Sequence, residues 1–244
     1  MERIDKVNDD ISLIQKTEGL TFGTDALLLA GYVSGKYRHG CEFGGGSGII
    51  TMLLLSRGKI EKAVALEVQE EYYELMKRNA ELNNLEDRML PLLSDLREYR
   101  PEEAFDIIYT NPPYMKADSG KSNLLRKKAI ARHEIKGDIS DFCRAAGKML
   151  RFGGTFAAVY RPDRLTDIIS AMRNAGLEPK RMTLVYADAH SEPSMMLVEG
   201  KNGGKSGLIV TKPLIIYKDG THSEYGEDMN YIMENGSFPA EYKR

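Results

Sequence analysis

Residues 105 to 114 read Phe-Asp-Ile-Ile-Tyr-Thr-Asn-Pro-Pro-Tyr. An apolar run of strand length stops at Asn111, and Pro112 and Pro113 then stiffen the turn that follows it. Upstream, Cys41-Glu42-Phe43 runs into Gly44-Gly45-Gly46-Ser47-Gly48, and the apolar stretch Ile49–Ser56 comes next. Taken singly, both features are ambiguous, because Asn-Pro, Pro-Pro and glycine runs mark turns in any protein. In this order they describe a sheet whose strand ends carry a ligand. A strand leading through glycines into a helix presents backbone N–H groups at the helix start, with no Cβ in the way.

The pattern repeats outward from these two turns. Strands are expected at 41–43, 63–66, 89–93, 105–110 and 156–160, with helices at 49–56, 70–82, 139–150 and 165–174. A further helix is read over 25–30, capped by Thr24. Late strands at 182–186, 195–200 and 208–211 lack helices between them, which predicts antiparallel pairing. The fold class is therefore α/β: a doubly wound, mostly parallel seven-stranded sheet with an antiparallel terminal hairpin. Residues 1–39 are read as an N-terminal extension and helix packing over the ligand site. Residues 40–218 form the main domain, and 219–244 a polar tail expected to be loosely ordered. Residues 1–20 show no clear period.

Composition sets limits. The chain has 244 residues, 42% of them apolar, and a net charge of −2, so a nucleic-acid partner would have to meet a local patch. Cys41 and Cys143 imply neither a disulfide framework nor a metal cluster, and His39, His133, His190 and His222 lack ligand spacing. No leader or membrane span is read, and a reduced, cytoplasmic setting is expected.

The glycine spacing Gly44-x-Gly46-x-Gly48 differs from the dinucleotide fingerprint, whose third glycine comes one residue later. Together with Asn111-Pro112-Pro113-Tyr114, it resembles the S-adenosylmethionine-dependent methyltransferases that act on an amino nitrogen. That resemblance implies S-adenosylmethionine as cofactor, held by Gly44, Gly46 and Gly48. Glu42 stands where the group usually has Asp. Glu67, at the end of the second strand, is placed for the ribose hydroxyls. Asp95 is placed for the adenine amino group, with Leu96 against the ring. The resemblance further implies that Thr24 and Asp25 fold over the methionine end.

Asn111 is read as both a cofactor contact and the centre of the reaction. The exocyclic nitrogen of adenine is a poor nucleophile, because its lone pair is delocalised. The Asn111 side-chain oxygen and the Pro112 carbonyl can accept its two N–H groups and turn the lone pair towards the methyl donor. Tyr114 can stack on the target ring. Such chemistry needs position and electrostatics rather than a strong base, and no Ser/His/Asp set is expected. The polymer is suggested by a basic segment containing Lys116, Lys121, Arg126, Lys127, Lys128 and Arg132. Arg161, Arg164, Lys180 and Arg181 are candidates to extend it.

Longer runs narrow the resemblance. Leu66–Glu70, Ala131–Ile135, Arg161–Leu165, Leu177–Arg181 and Leu197–Gly200 resemble the bacterial tRNA1(Val) (adenine(37)-N6)-methyltransferase family over roughly residues 5 to 217. That family implies methylation of adenine N6 in tRNA, next to the anticodon. Two alternatives remain at this stage. One is N5-glutamine methylation of a release factor, although those enzymes usually carry a longer N-terminal recognition domain. The other is a non-catalytic RNA-binding protein on the same fold.

Overall fold

A computed structural model of the chain describes residues 1–17, 22–112 and 137–243. Seven strands make the body of one sheet: β3 (Tyr37–Phe43), β4 (Ile60–Glu67), β5 (Met89–Leu93), β6 (Phe105–Thr110), β7 (Leu150–Tyr160), β8 (Leu177–Tyr186) and β9 (Pro193–Asn202). Their spatial order is β5-β4-β3-β6-β7-β9-β8, and β9 alone among these seven runs antiparallel to its neighbours. The expected doubly wound sheet with a terminal hairpin is thus the observed one. Two short strands, β10 (Ile209–Val210) and β11 (Leu214–Ile215), extend the β8 edge and bring the sheet to nine.

β10 corrects an expectation, because it pairs parallel with β8, at Ile209↔Arg181. β9 ends at Asn202, opposite Leu177 at the start of β8. The next extended segment lies on the far side of β8 and so runs in the same direction as that strand.

Helices cover both faces. α1 (Thr24–Tyr32), α2 (Ile49–Ser56) and α3 (Glu70–Leu82) pack on one face, with strand residues such as Ile107, Tyr109, Ala157 and Val159. α4 (Ile139–Met149) and α5 (Leu165–Asn174) pack on the other, against Ile108, Phe156 and Ala158. Each inner strand is buried on both faces, which is why its sequence reads as a continuous apolar run. α4 opens with a capping box in which Asp138 and Asp141 satisfy each other's backbone N–H groups.

The two ends of the chain carry structure that the sequence reading did not assign. Residues 1–17 form an antiparallel hairpin, β1 (Glu2–Lys6) with β2 (Ser12–Lys16). The tail is not loose: α6 (Glu227–Asn235) buries Met229 and Ile232, and beyond it Phe238 and Tyr242 join the same core. Its apolar residues are few but spaced to one side, and the polar average hides them. No helix among the described residues is long and apolar enough to cross a membrane.

The order of strands fixes the site. Winding proceeds from β3 to β5 in one direction and then restarts at β6 on the other side of β3. A crevice opens at this reversal, beyond the carboxyl ends of the strands. Phe43 and Thr110 are paired across β3 and β6, and Thr110 Oγ1 donates to the Phe43 carbonyl at 2.9 Å. The glycine turn and the Asn111 turn, far apart in sequence, therefore leave the sheet side by side.

Candidate active site

The cleft at this reversal is lined by Gly44, Gly45, Gly46 and Ser47 after β3, and by Glu67, Val68 and Gln69 after β4. Ser94, Asp95 and Leu96 after β5, and Asn111 after β6, complete the strand-end lining. Phe22, Gly23, Asp25 and Ala26 at the start of α1 close one side, and Phe142 of α4 contributes from the other face.

The glycine turn is held by its neighbours. Gly45 N donates to the Leu66 carbonyl at 2.9 Å, and Gly46 N donates to Glu67 Oε2 at 3.0 Å. Glu67 Oε1 accepts from the backbone N–H groups of Val68 and Gln69, each at 2.9 Å. Its buried carboxylate therefore ties the end of β4 to the loop after β3. Gly44 and Gly46 have φ of +70° and +56°, and a Cβ built on either would meet nothing within 4 Å. Both face open space of the cleft, where a side chain would occupy the room a ligand needs.

Gly48 has a different task. It precedes α2 with φ +81°, and a Cβ there would come within 2.6 Å of Met89 Cε and 2.9 Å of Met76 Cγ. It is a packing glycine and does not line the cleft. Thr24 does not line it either. It is the first residue of α1, whose N-cap is Gly23, a residue with no side chain to cap that end.

Glu42 forms the floor of the cleft. Only 1% exposed, it accepts from Thr51 Oγ1 at 2.5 Å and from Thr51 N at 3.2 Å. Thr51 Oγ1 lies 2.8 Å from the Tyr109 hydroxyl, so a short polar chain runs beneath the loop. Burial, aided by the nearby Glu67 charge, pushes the Glu42 carboxyl up to about 8, while the Thr51 hydrogen bonds pull the other way. The extra methylene relative to Asp carries the carboxyl into the first turn of α2.

At the far end, Asp95 is gripped by the Arg97 guanidinium and accepts from Arg97 N at 2.8 Å. This pairing holds its carboxyl below the usual range. The Asp95 carbonyl also accepts from Glu98 N and Tyr99 N, so the residue opens a turn as well as lining the cleft. Leu96 is 7% exposed. Asn111 Nδ2 donates to Asp25 Oδ2 at 2.7 Å. The buried Pro112 lines a second cleft with Tyr160, Arg161, Arg164 and Asp167, and Phe142 borders both.

Tyr114, Lys116, Lys121, Arg126, Lys127, Lys128 and Arg132 lie outside the described residues. Of the residues expected to extend their basic patch, Arg161 pairs with Asp163 and Arg164 with Asp167. Arg181 is not on the surface at all. At 6% exposed, it is bonded to Glu199 and to the Tyr32 and Tyr242 carbonyls.

Two supports escaped the sequence reading. Thr51 carried no signal, being a polar residue in an apolar helix. Asn79, fully buried on α3, donates to the Ser47 carbonyl at 2.9 Å and exchanges two hydrogen bonds with the Ile14 backbone. A buried asparagine on the apolar side of a helix was the signal that pointed to it.

The sequence matches the methyltransferase small domain family over residues 17–165, a span that contains both turns. The chain belongs to that family. As a methyltransferase small domain protein, it is similar to the tRNA1(Val) (adenine(37)-N6)-methyltransferase of Phocaeicola vulgatus. The two are 27% identical over 180 residues, which cover 73% of this chain and 76% of that protein. A protein of the same name from Bacteroides thetaiotaomicron is 28% identical over 178 residues, 72% of this chain and 74% of its own. Among solved structures, a predicted O-methyltransferase, Atu636 of Agrobacterium tumefaciens, superposes with a TM-score of 0.72 at 22% identity. It spans 88% of this chain and 98% of that one. The N-methyltransferase NodS of Bradyrhizobium japonicum gives 0.52 at 15%, covering 73% and 93%. At these identities the two structures bear on the fold, which is that of the class I methyltransferases.

Proposed function

We propose that this methyltransferase transfers a methyl group from S-adenosylmethionine to the exocyclic N6 of adenine in RNA, with tRNA near the anticodon as the substrate. The observation that carries this reading is the placement of Asn111 in one cleft with the glycine turn, Glu42 and Glu67. The tRNA methyltransferases named above supply the substrate class by similarity. Since tRNA is the substrate, we place the reaction in the cytoplasm.

The cleft fits the cofactor on its own chemistry. Gly44 and Gly46 leave space where side chains would stand. Of the lining residues, Glu67 would hold the ribose, Asp95 and Leu96 the adenine, and the buried Glu42 carboxyl would lie towards the cationic methionine end. When bound, S-adenosylmethionine supplies an electrophilic methyl group on a sulfonium.

The protein's own part is placement. Asn111 Oδ1 and the Pro112 carbonyl accept the two N–H groups of the acceptor amine, and the proline-locked turn fixes their spacing. These acceptors draw the nitrogen towards tetrahedral geometry and aim its lone pair at the cofactor cleft. The second cleft, on the Pro112 side, receives the acceptor nucleotide, with Arg161 and Arg164 within reach of a phosphate. Tyr114 and the basic residues of 116–132, outside the described residues, are our candidates for stacking on the base and for meeting the RNA backbone.

The test is acceptor choice. Purified protein is incubated with methyl-labelled cofactor and, separately, tRNA lacking the modification, a release factor and duplex DNA. Label on tRNA is the expected result. Label on the release factor, with none on tRNA, overturns the reading.

A further inference from the structure

Asp25 sits in the first turn of α1 with both carboxylate oxygens engaged. Oδ1 accepts from Ala26 N at 2.9 Å, and Oδ2 accepts from Asn111 Nδ2 at 2.7 Å. Room for this arrangement comes from Gly23, where a Cβ would lie 2.7 Å from Asp25 Oδ1. A helix start, a missing side chain and an asparagine 86 positions away in sequence thus converge on one carboxylate.

The chemistry of the pair has a direction. A carboxylate only accepts, whereas an amide donates at one end and accepts at the other, and the two ends are nearly the same shape. With Asp25 on one side, the amino end of Asn111 must face it, so the carbonyl end is turned away from α1. A rotated amide would present N–H groups to an amine that itself offers N–H groups, and the acceptor role would be lost. We propose that Asp25 is a positioning residue for methyl transfer: it selects which end of the Asn111 amide meets the acceptor nitrogen. This rests on the reading of Asn111 given above, and it differs from a role for Asp25 as a ligand of the cofactor.

The experiment compares Asp25→Ala, Asp25→Asn, Asn111→Ala and the double variant Asp25→Ala/Asn111→Ala. In Asp25→Ala, kcat falls by roughly 30- to 100-fold, as expected when a reacting group is misaligned. Calorimetric cofactor affinity and the KM for tRNA stay within about threefold, since both Asp25 oxygens are already taken by Ala26 N and Asn111 Nδ2. Asp25→Asn, which keeps an acceptor, recovers part of the loss. In the Asn111→Ala background, removing Asp25 costs less than about twofold, because its effect passes through Asn111. Gly23→Ala reproduces the kcat loss without altering either partner.

A second readout is independent of any substrate. The Asn111 side-chain amide protons, assigned by their loss in Asn111→Ala, exchange with solvent at least about tenfold faster in Asp25→Ala than in the wild type. The inference is overturned if cofactor affinity drops about tenfold or more and the two substitutions add in full, or if amide exchange is unchanged. An absence of tRNA methylation by the wild type would count against the proposed function, and the exchange measurement would still decide the role of Asp25.

Discussion

Glu42 accepts twice from one residue: its Oε2 lies 2.5 Å from Thr51 Oγ1 and 3.2 Å from Thr51 N, and the side chain is buried. Burial raises this carboxyl from about 4.5 to about 8. The folded protein therefore keeps the Glu42 proton over a pH range in which the unfolded chain releases it. Such a group contributes its full stability below about pH 4.5 and loses it as pH climbs to about 8. Glu42→Gln removes the titration. The variant is expected to match the wild type near pH 4.5 and to exceed it by on the order of a few kcal/mol near pH 8. Urea unfolding at intervals across this range measures the difference, and parallel curves would rule out the buried carboxyl as its source.

The glycines of the turn divide into two kinds, and substitution separates them. Gly46→Ala places a methyl group in the cleft at φ +56°, costing about 1 kcal/mol in backbone strain. Its main expected effect is a loss of about tenfold or more in S-adenosylmethionine affinity, with a melting temperature only a few degrees lower. Gly48→Ala meets Met89 and Met76 instead, so the melting temperature drops further. Calorimetry and thermal melts on the two variants test this division.

Asn79 joins the N-terminal hairpin to the glycine turn. Asn79→Ala strands the Ile14 N–H and the Ser47 carbonyl, which both bond to its side chain. The expected cost is about 2–4 kcal/mol, from unpaired groups in or near the core. Asn79→Asp retains the acceptor for Ile14 N but removes the donor to Ser47, so it recovers part of the stability and less of the cofactor affinity. Denaturant titration paired with cofactor titration checks both.

Arg181 anchors the tail. Its guanidinium meets Glu199 at 2.7 Å, the Tyr32 carbonyl at 2.7 Å and the Tyr242 carbonyl at 3.0 Å, and stacks 3.9 Å from the Tyr32 ring centre. Arg181→Met leaves Glu199 without its partner and is expected to cost about 3–5 kcal/mol. Adding Glu199→Gln restores part of this. Limited proteolysis should then cut first within residues 219–243.

Much of the fold was legible because parallel strands buried on both faces write themselves as apolar runs, most of them followed here by a helix. The cleft was legible for a related reason. Glycine turns and proline turns are requirements of the backbone, and backbone requirements survive in a bare sequence. What the sequence concealed was side-chain direction. Nothing in Arg181-Met182 says that a basic residue near a basic segment points inward, and nothing in Thr51 says that it holds Glu42. The hairpin of residues 2–16 was hidden because it is held by asparagine side chains on α3 and at its C-cap: Asn79 bonds to Ile14 and Asn83 to Ser12. β10 was expected to be antiparallel because proximity in sequence suggested hairpins; its direction depends instead on which edge of β8 was free.

In the proposed reaction Asn111, in the cleft with the glycine turn, aligns an adenine N6 for methyl transfer. This role is tested most directly by digesting labelled tRNA from reactions of the wild type and Asn111→Ala and identifying the labelled nucleoside by mass spectrometry. N6-methyladenosine is expected from the wild type, with a loss of at least about a hundredfold in the variant at saturating cofactor. Label in any other nucleoside, or undiminished N6-methyladenosine from Asn111→Ala, would contradict the proposed reaction.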